Sequence, residues 1–279
     1  MGHEVCRRRR LLITAVIALA SVGCGVAAVH AQGFKPDCPL PFDSLAAKHP
    51  IDDDCGPEGT GTGEAQQAQN RAKNNFCATG TPVRITYATF QRLQHAAEQQ
   101  GISFGSNSKI PPDRSVLKDL YTTSDGAKLG EGALVRLAAY VLDAHYSNVR
   151  NGETVNCKQP GEENNDIHVS LGKSASEHDL CNSVTAEVSP HYRPPSWTPA
   201  NLTQLAGHPV RITGQLFFDA SHKPCANGQG SPRRVAIWEI HPVYAIDVCR
   251  NGSLGGCDVN DDRKWVPLEE WLNLEQENE

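Results

Sequence analysis

The feature that most constrains the fold is a series of five period-two segments in the C-terminal half, with one helical pattern between the third and fourth. Successive side chains of a strand point to opposite faces, so a period of two sorts a sequence onto two walls. Ala133 to His145 places Val135, Leu137, Ala139 and Val141 on one wall and Arg136, Ala138 and Tyr140 on the other. Asp166 to Leu171 turns Ile167, Val169 and Leu171 inward, and Ser183 to Ser189 does the same with Val184, Ala186 and Val188. Val210 to Phe218 carries Val210, Ile212, Leu216 and Phe218 on one face. Val235 to Val248 carries Trp238, Ile240, Tyr244, Ile246 and Val248. Trp197 to Ala206 reads as a helix, capped by Thr198 with Pro199 in its first turn and stopped by Gly207.

The order strand, strand, strand, helix, strand, strand is the connectivity of the oligonucleotide/oligosaccharide-binding (OB) barrel. The expectation is a mainly β fold: an OB-like five-stranded closed barrel with one helix between strands 3 and 4. A seven-stranded sandwich is the alternative. The long first segment suits a strand that must bend to meet two neighbours. Gly214 suits a barrel corner or a close backbone approach, and Pro242 marks a bulge or an edge.

Composition divides the chain near residue 110. Residues 32–110 are rich in Ala, Gln, Asn and Gly and are expected to form a disulfide-tied loop and helical extension; residues 111–279 form the barrel domain with a C-terminal tail. Residues 32–62 are proline-rich loop. Glu64 to Phe76 and Tyr87 to Gln99 read as helices, the second interrupted on its apolar stripe by Gln94. A short third helix is expected from Pro112, with Val116, Leu117 and Leu120 inward. These helices are weakly apolar and are expected to pack on the barrel rather than build a core of their own.

Residues 1–31 have the three parts of a secretory signal: the positive block Arg7 to Arg10, the apolar run Leu11 to Ala20, and Val29-His30-Ala31, which predicts cleavage before Gln32. The apolar run is shorter than the ~20 residues a spanning helix needs. A loose twin-arginine pattern at Arg8-Arg9 and a poor lipoprotein box ending at Cys24 are the other targeting readings. The expected location is secreted or periplasmic, with lipid anchoring through Cys24 as the alternative.

Cleavage would remove four Arg and one Glu, leaving 22 basic and 31 acidic side chains and a formal charge of −9. That balance argues against a nucleic-acid partner, whose phosphates need clustered Lys and Arg. It would also leave eight cysteines: Cys38, Cys55, Cys77, Cys157, Cys181, Cys225, Cys249 and Cys257. An even number in an exported chain reads as disulfides, in one of 105 possible connectivities. The absence of any Cys-x-x-Cys removes the obvious zinc-knuckle and redox-motif readings.

Gly214-Gln-Leu-Phe-Phe-Asp-Ala-Ser-His222 and Trp238-Glu-Ile-His-Pro-Val-Tyr-Ala-Ile-Asp-Val-Cys249 resemble a recurrent signature of uncharacterised secreted bacterial proteins. Glu153-Thr-Val-Asn-Cys157, Asn165-Asp-Ile-His168 and Gln69-Asn-Arg-Ala-Lys-Asn-Asn-Phe-Cys77 belong to the same resemblance, which covers most of the mature chain. The resemblance implies an OB-barrel-like secreted protein and carries no activity with it.

Alternation also places polar side chains opposite the apolar ones. Asp166 and His168 share one side of their strand, Glu187 faces away from the core, and Glu239 and His241 lie on the last strand. In an OB barrel the third strand neighbours the fifth, so Glu187 is expected near Glu239 and His241. One reading is a divalent-metal or acid/base site of Asp166, His168, Glu239 and His241, since imidazoles with carboxylates suit a borderline metal. The other is a set of polar outer-face residues with no cofactor. Tyr192, Arg193 and Trp197, in an exposed proline-stiffened loop, together with Arg211 and Gln215 on the fourth strand, are the ligand-binding candidates, and the alternative for the aromatics is that they lid the bottom of the barrel.

Two further motifs stand outside these sets. Asp219-Ala-Ser-His222 could supply another metal ligand or a Ser221–His222 nucleophilic pair, or be a turn locked by an Asx-type bond and a disulfide at Cys225. Asp258, Asn260, Asp262 and Glu269 match positions 1, 3, 5 and 12 of a calcium loop, but Arg263 stands where glycine is needed, which favours a solvated turn. The leading functional expectation is an exported, non-catalytic binding module for a saccharide, peptide or small anion. A metal-dependent hydrolase using the Asp/His/Glu/His cluster and a structural envelope-associated protein are the alternatives.

Overall fold

A computed structural model describes residues 33–278; the expected signal segment, with its Cys24 alternative, lies outside them. In chain order the elements are α1 (Ile51–Asp54), α2 (Glu64–Lys73), β1 (Val83–Ile85), α3 (Tyr87–Gln99), β2 (Tyr121–Thr122), β3 (Lys128–Leu129), β4 (Leu134–Tyr146), β5 (Ile167–Gly172), β6 (Val184–Val188), α4 (Pro199–Gln204), β7 (Pro209–Phe218), β8 (Trp238–Cys249), β9 (Trp265–Pro267) and α5 (Leu268–Asn278). The fold is mainly β. Among the described residues no helix is long and apolar enough to cross a membrane.

Seven strands belong to one sheet, and β2 with β3 forms a separate two-stranded ribbon. The pairing path runs β4-β5-β6-β8-β7, and β7 pairs back to β4. β4 serves two neighbours along its length: Leu134 to Tyr140 pair with β7, and Tyr140 to Tyr146 pair with β5. β6 and β8 run parallel, with Thr185 opposite Glu239 and Ala186 opposite Ile240. β1 and β9 add to the outside of this path, on β4 and β8.

The apolar residues of the five segments meet in one core. Val135, Leu137, Val169, Leu171, Val184, Ala186, Ile212, Leu216, Ile240 and Ile246 are buried together, joined by Phe34, Phe42, Phe76 and Phe90 from the N-terminal segment. Gly214 makes the close approach its sequence position suggests: a Cβ there would lie 2.5 Å from the Pro242 carbonyl oxygen. The β7–β8 register shifts on either side of Gly214, which places the bulge at the Gly214–Pro242 crossing.

Several local expectations are corrected. The helix from Glu64 stops at Lys73, before Phe76. The third helix is a single 3-10 turn, Arg114–Leu117, in which Leu117 is buried but Val116 is exposed. Gln94 is buried and its Oε1 accepts the Ile237 N–H, which explains a polar residue on that stripe. The Tyr192 to Trp197 loop is not exposed: Arg193 and Trp197 are buried and Tyr192 is half-buried. Nor is the wall opposite the core open to solvent along β6, β7 and β8, whereas on β4 Arg136, Ala138 and Tyr140 are half-buried. Along β7 every residue is buried, because α2 and the C-terminal tail cover that side.

All eight cysteines of residues 33–278 are paired: Cys38–Cys77, Cys55–Cys157, Cys181–Cys225 and Cys249–Cys257. The first two tie the N-terminal segment, Cys55 directly to the β4–β5 connection.

Candidate functional site

The polar wall of β5, β6 and β8 gathers the acidic and imidazole side chains expected from alternation. His168 is the direct cross-strand partner of Glu187, and its Nε2 lies 3.2 Å from Glu187 Oε1. On the other side of β6, His241 Nδ1 lies 2.8 Å from Glu187 Oε2 and 3.7 Å from Glu239 Oε2. Asp166, one residue before β5, is buried, and Asn156 Nδ2 donates to its Oδ1 at 3.2 Å. One oxygen from each of Asp166 and Glu187 and one ring nitrogen of His241 lie within 4.8 Å of one another. Glu187, rather than His168 or Glu239, completes the tightest group with Asp166 and His241.

Lys73, which alternation could not reveal, enters this group from the last turn of α2. Its Nζ stands 3.1 Å from Glu187, 3.6 Å from Glu153 and 3.7 Å from Asp166. The signal for it is a wholly polar stripe at helical spacing, Gln66, Gln69, Asn70 and Lys73, on a helix that still packs inward. Glu153 comes from the β4–β5 connection that Cys55–Cys157 anchors, with Oε1 3.9 Å from His168 Nε2.

The electrostatics favour ionised groups. Burial alone would lower the Lys73 ammonium, but Glu187, Glu153, Asp166 and Asp219 outweigh it and hold its pKa well above the ordinary lysine value. Burial alone would raise Glu187, but His168, Lys73 and His241 outweigh it and hold its carboxyl well below the usual range. Glu153, Asp166 and Glu187 thus share the Lys73 ammonium, with the His168 and His241 rings beside Glu187 as the other basic groups. Asp166 Oδ2, Glu187 Oε2, Glu239 Oε2 and both ring nitrogens of His241 are buried outside good hydrogen-bond geometry, with Glu187 Oε2 in charge contact with both Lys73 Nζ at 3.1 Å and His241 Nδ1 at 2.8 Å. Carboxylate oxygen with imidazole nitrogen is a donor set that suits zinc, manganese or iron.

Glu187 lines a cleft of about 260 Å³, whose walls also include Lys73, Glu153, His168, Asp219 and His222. Arg234, fully buried, joins Asp219 to Glu239: Nη1 donates to Glu239 and Nη2 to Asp219 Oδ2 at 2.5 Å. Glu239 is therefore committed to Arg234 rather than to the Asp166 group. Ser221 Oγ donates to Asp219 Oδ1 at 2.5 Å and lies 3.2 Å from His222 Nδ1, the nitrogen already bonded to Asp219. That geometry leaves no base for Ser221. Its N–H also bonds Asp219 Oδ1, and Cys225 is disulfide-bonded, so the segment is a locked turn.

The five ligand-binding candidates do not converge. Tyr192 bonds the Phe34 carbonyl, Arg193 donates to the Asn165 and Glu162 carbonyls, and Trp197 Nε1 donates to Glu269 at 2.6 Å. Arg211 pairs with Asp247 and Asp262 near Trp265, and Gln215 donates to the Ala72 carbonyl. The calcium-loop residues also disperse. Glu269 serves Ser196 and Trp197, Asp262 serves Arg211 and Arg136, and Asp258 Oδ1 accepts from the Asn260 N–H.

Comparison with protein-family models, with curated proteins and with solved structures finds no match to this chain.

Proposed function

We propose that this chain is an exported, metal-dependent hydrolase built on an OB-type barrel, with a divalent cation held by Asp166, Glu187 and His241. The observation that carries the reading is the convergence of those three side chains, each nine-tenths buried or more, with their donor atoms facing one another beside a cleft that Glu187 lines. The charge distribution supports it, because with the His168 and His241 rings neutral a dication beside Lys73 offsets Glu153, Asp166 and Glu187 together. Such an ion would polarise a scissile carbonyl and lower the pKa of a water in the cleft. Supporting the barrel are the expected strand order and the return pairing of β7 to β4. Supporting export are the N-terminal pattern and four disulfides, a number typical of oxidising compartments.

The reading of a non-catalytic binding module drew on Tyr192, Arg193, Trp197, Arg211 and Gln215, whose polar atoms are engaged within the fold. The cleft is therefore the better place to look for a ligand. Titration of residues 32–279 with zinc and manganese by calorimetry is the direct test. One saturable site is expected in the wild type, weakened at least tenfold in Glu187→Gln. Absence of binding, with His168 and His241 protonated instead in NMR spectra, would leave an internal ion-pair network and end the metal reading.

A further inference from the structure

A second group lining the cleft is not used by the Asp166, Glu187 and His241 set. Asp219 follows the last residue of β7 and is buried. Burial would raise its carboxyl, but Arg234 and the hydrogen bond from His222 outweigh that and hold it far below the usual range. His222 Nδ1 lies 2.5 Å from Asp219 Oδ2. An ionised carboxylate only accepts, so the proton of the neutral ring sits on Nδ1 and Nε2 is left as the acceptor. Nε2 has no hydrogen-bond partner among the described residues, and the side chain is 47% exposed where it lines the cleft. The turn does not need this ring, since the Ser221 N–H to Asp219 bond and the Cys181–Cys225 bridge already hold it.

We propose that Asp219 and His222 form an acid–base pair, with His222 Nε2 exchanging protons with an uncharged ligand in the cleft. Asp219 fixes the tautomer and the ring, and Arg234 fixes Asp219. The reaction assigned to the pair rests on the hydrolase reading. As a water oxygen bonds to an acyl carbon, its proton passes to Nε2. As the bond to the leaving oxygen or nitrogen breaks, Nε2 returns that proton to it. The ligand class follows from charge. Glu153, Asp166, Glu187, Asp219 and Glu239 face Lys73, Arg234 and the imidazoles of His168, His222 and His241, so with those rings neutral and a dication in place the five carboxylates keep one negative charge. A carboxylic ester or amide fits that field, whereas a phosphate ester is repelled.

Diethyl pyrocarbonate, an uncharged acylating reagent, tests the pair without a known substrate. Residues 32–279 would be treated at pH 8, where ordinary imidazoles are neutral, and acylation rates resolved residue by residue by mass spectrometry. His95 and His178 are exposed references, and His145 is a reference pair whose partner Asp143 is itself exposed. His222 is expected to react roughly fivefold faster than all three, and Asp219→Asn to remove that advantage in a variant whose circular dichroism matches wild type. A wild-type His222 rate no greater than the references overturns the proposal, and that comparison needs no variant to fold. Zinc titration of His222→Gln separates the two readings. Rate advantage without zinc binding sinks the metal reading alone; zinc binding without the rate advantage sinks the pair alone.

Discussion

At Lys73 a single ammonium, 12% exposed, lies within 4 Å of three carboxylates. Removing one partner of a buried ion pair costs far more than the pair contributes, because the remaining charges keep their desolvation penalty. Lys73→Met is therefore expected to destabilise the protein by about 3–5 kcal/mol in the presence of a chelator, measured by urea unfolding. Zinc should recover part of that loss by supplying the missing positive charge. A variant as stable as wild type in chelator would mean that the carboxylates carry protons instead. Asp166, His168, Glu187, Glu239 and His241 were legible in the sequence because each sits at a fixed place on an alternating strand, and strand order alone brings β6 beside β8. Lys73 and Glu153 were not, since a helix end and a loop reach the same point through tertiary packing that no local period records.

Among the elements, the crossing of β7 and β8 has the least room. A methyl group on Gly214 would stand 2.5 Å from the Pro242 carbonyl oxygen and 2.6 Å from Ile240 Cγ2, so one strand must move. Gly214→Ala is expected to cost about 1–3 kcal/mol, the range for overpacking a fitted interior, and to displace His241 beside it. Thermal unfolding reads the first effect and loss of zinc affinity the second. An unchanged melting temperature would place the strain elsewhere. The five strands fall within one to three residues of their expected ends, because alternating burial is written directly into the chain. Which polar wall faces solvent was not written there. α2 is poor in large apolar residues, yet its polar stripe packs on the sheet through Gln215 and Lys73, so a wall that reads as outer surface lies inside. The Tyr192 to Trp197 loop misled for the same reason: Phe34, from a proline-rich stretch without period, stacks on His191 at 3.9 Å and draws the loop inward.

For the whole molecule, the buried titratable groups bound the pH range over which the fold is stable. Asp219 and Glu187 have carboxyls held below their unfolded values. Their contribution is present above about pH 4, the ordinary carboxylate range, and is lost as pH falls and the unfolded chain takes up protons first. Tyr87 and Tyr244 act at the other end: burial raises both phenols above their unfolded values, and Tyr87 donates to the Leu171 carbonyl while Tyr244 donates to that of Asn75. Lys73 is raised as well. Raised groups contribute fully below about pH 10, and the contribution fades as pH rises and the unfolded chain releases protons first. These groups are therefore expected to make the unfolding free energy fall below about pH 4 and above about pH 10. Each such group adds up to about 1.4 kcal/mol per pH unit to its limb. Asp219→Asn should remove one such increment from the acid limb only, and Tyr244→Phe one from the alkaline limb only. Urea titrations from pH 2 to 11 would decide it. A substitution that changed stability equally at every pH would mean that its side chain matters for packing and not for charge, and the ionised Asp219 on which His222 depends would lose its support.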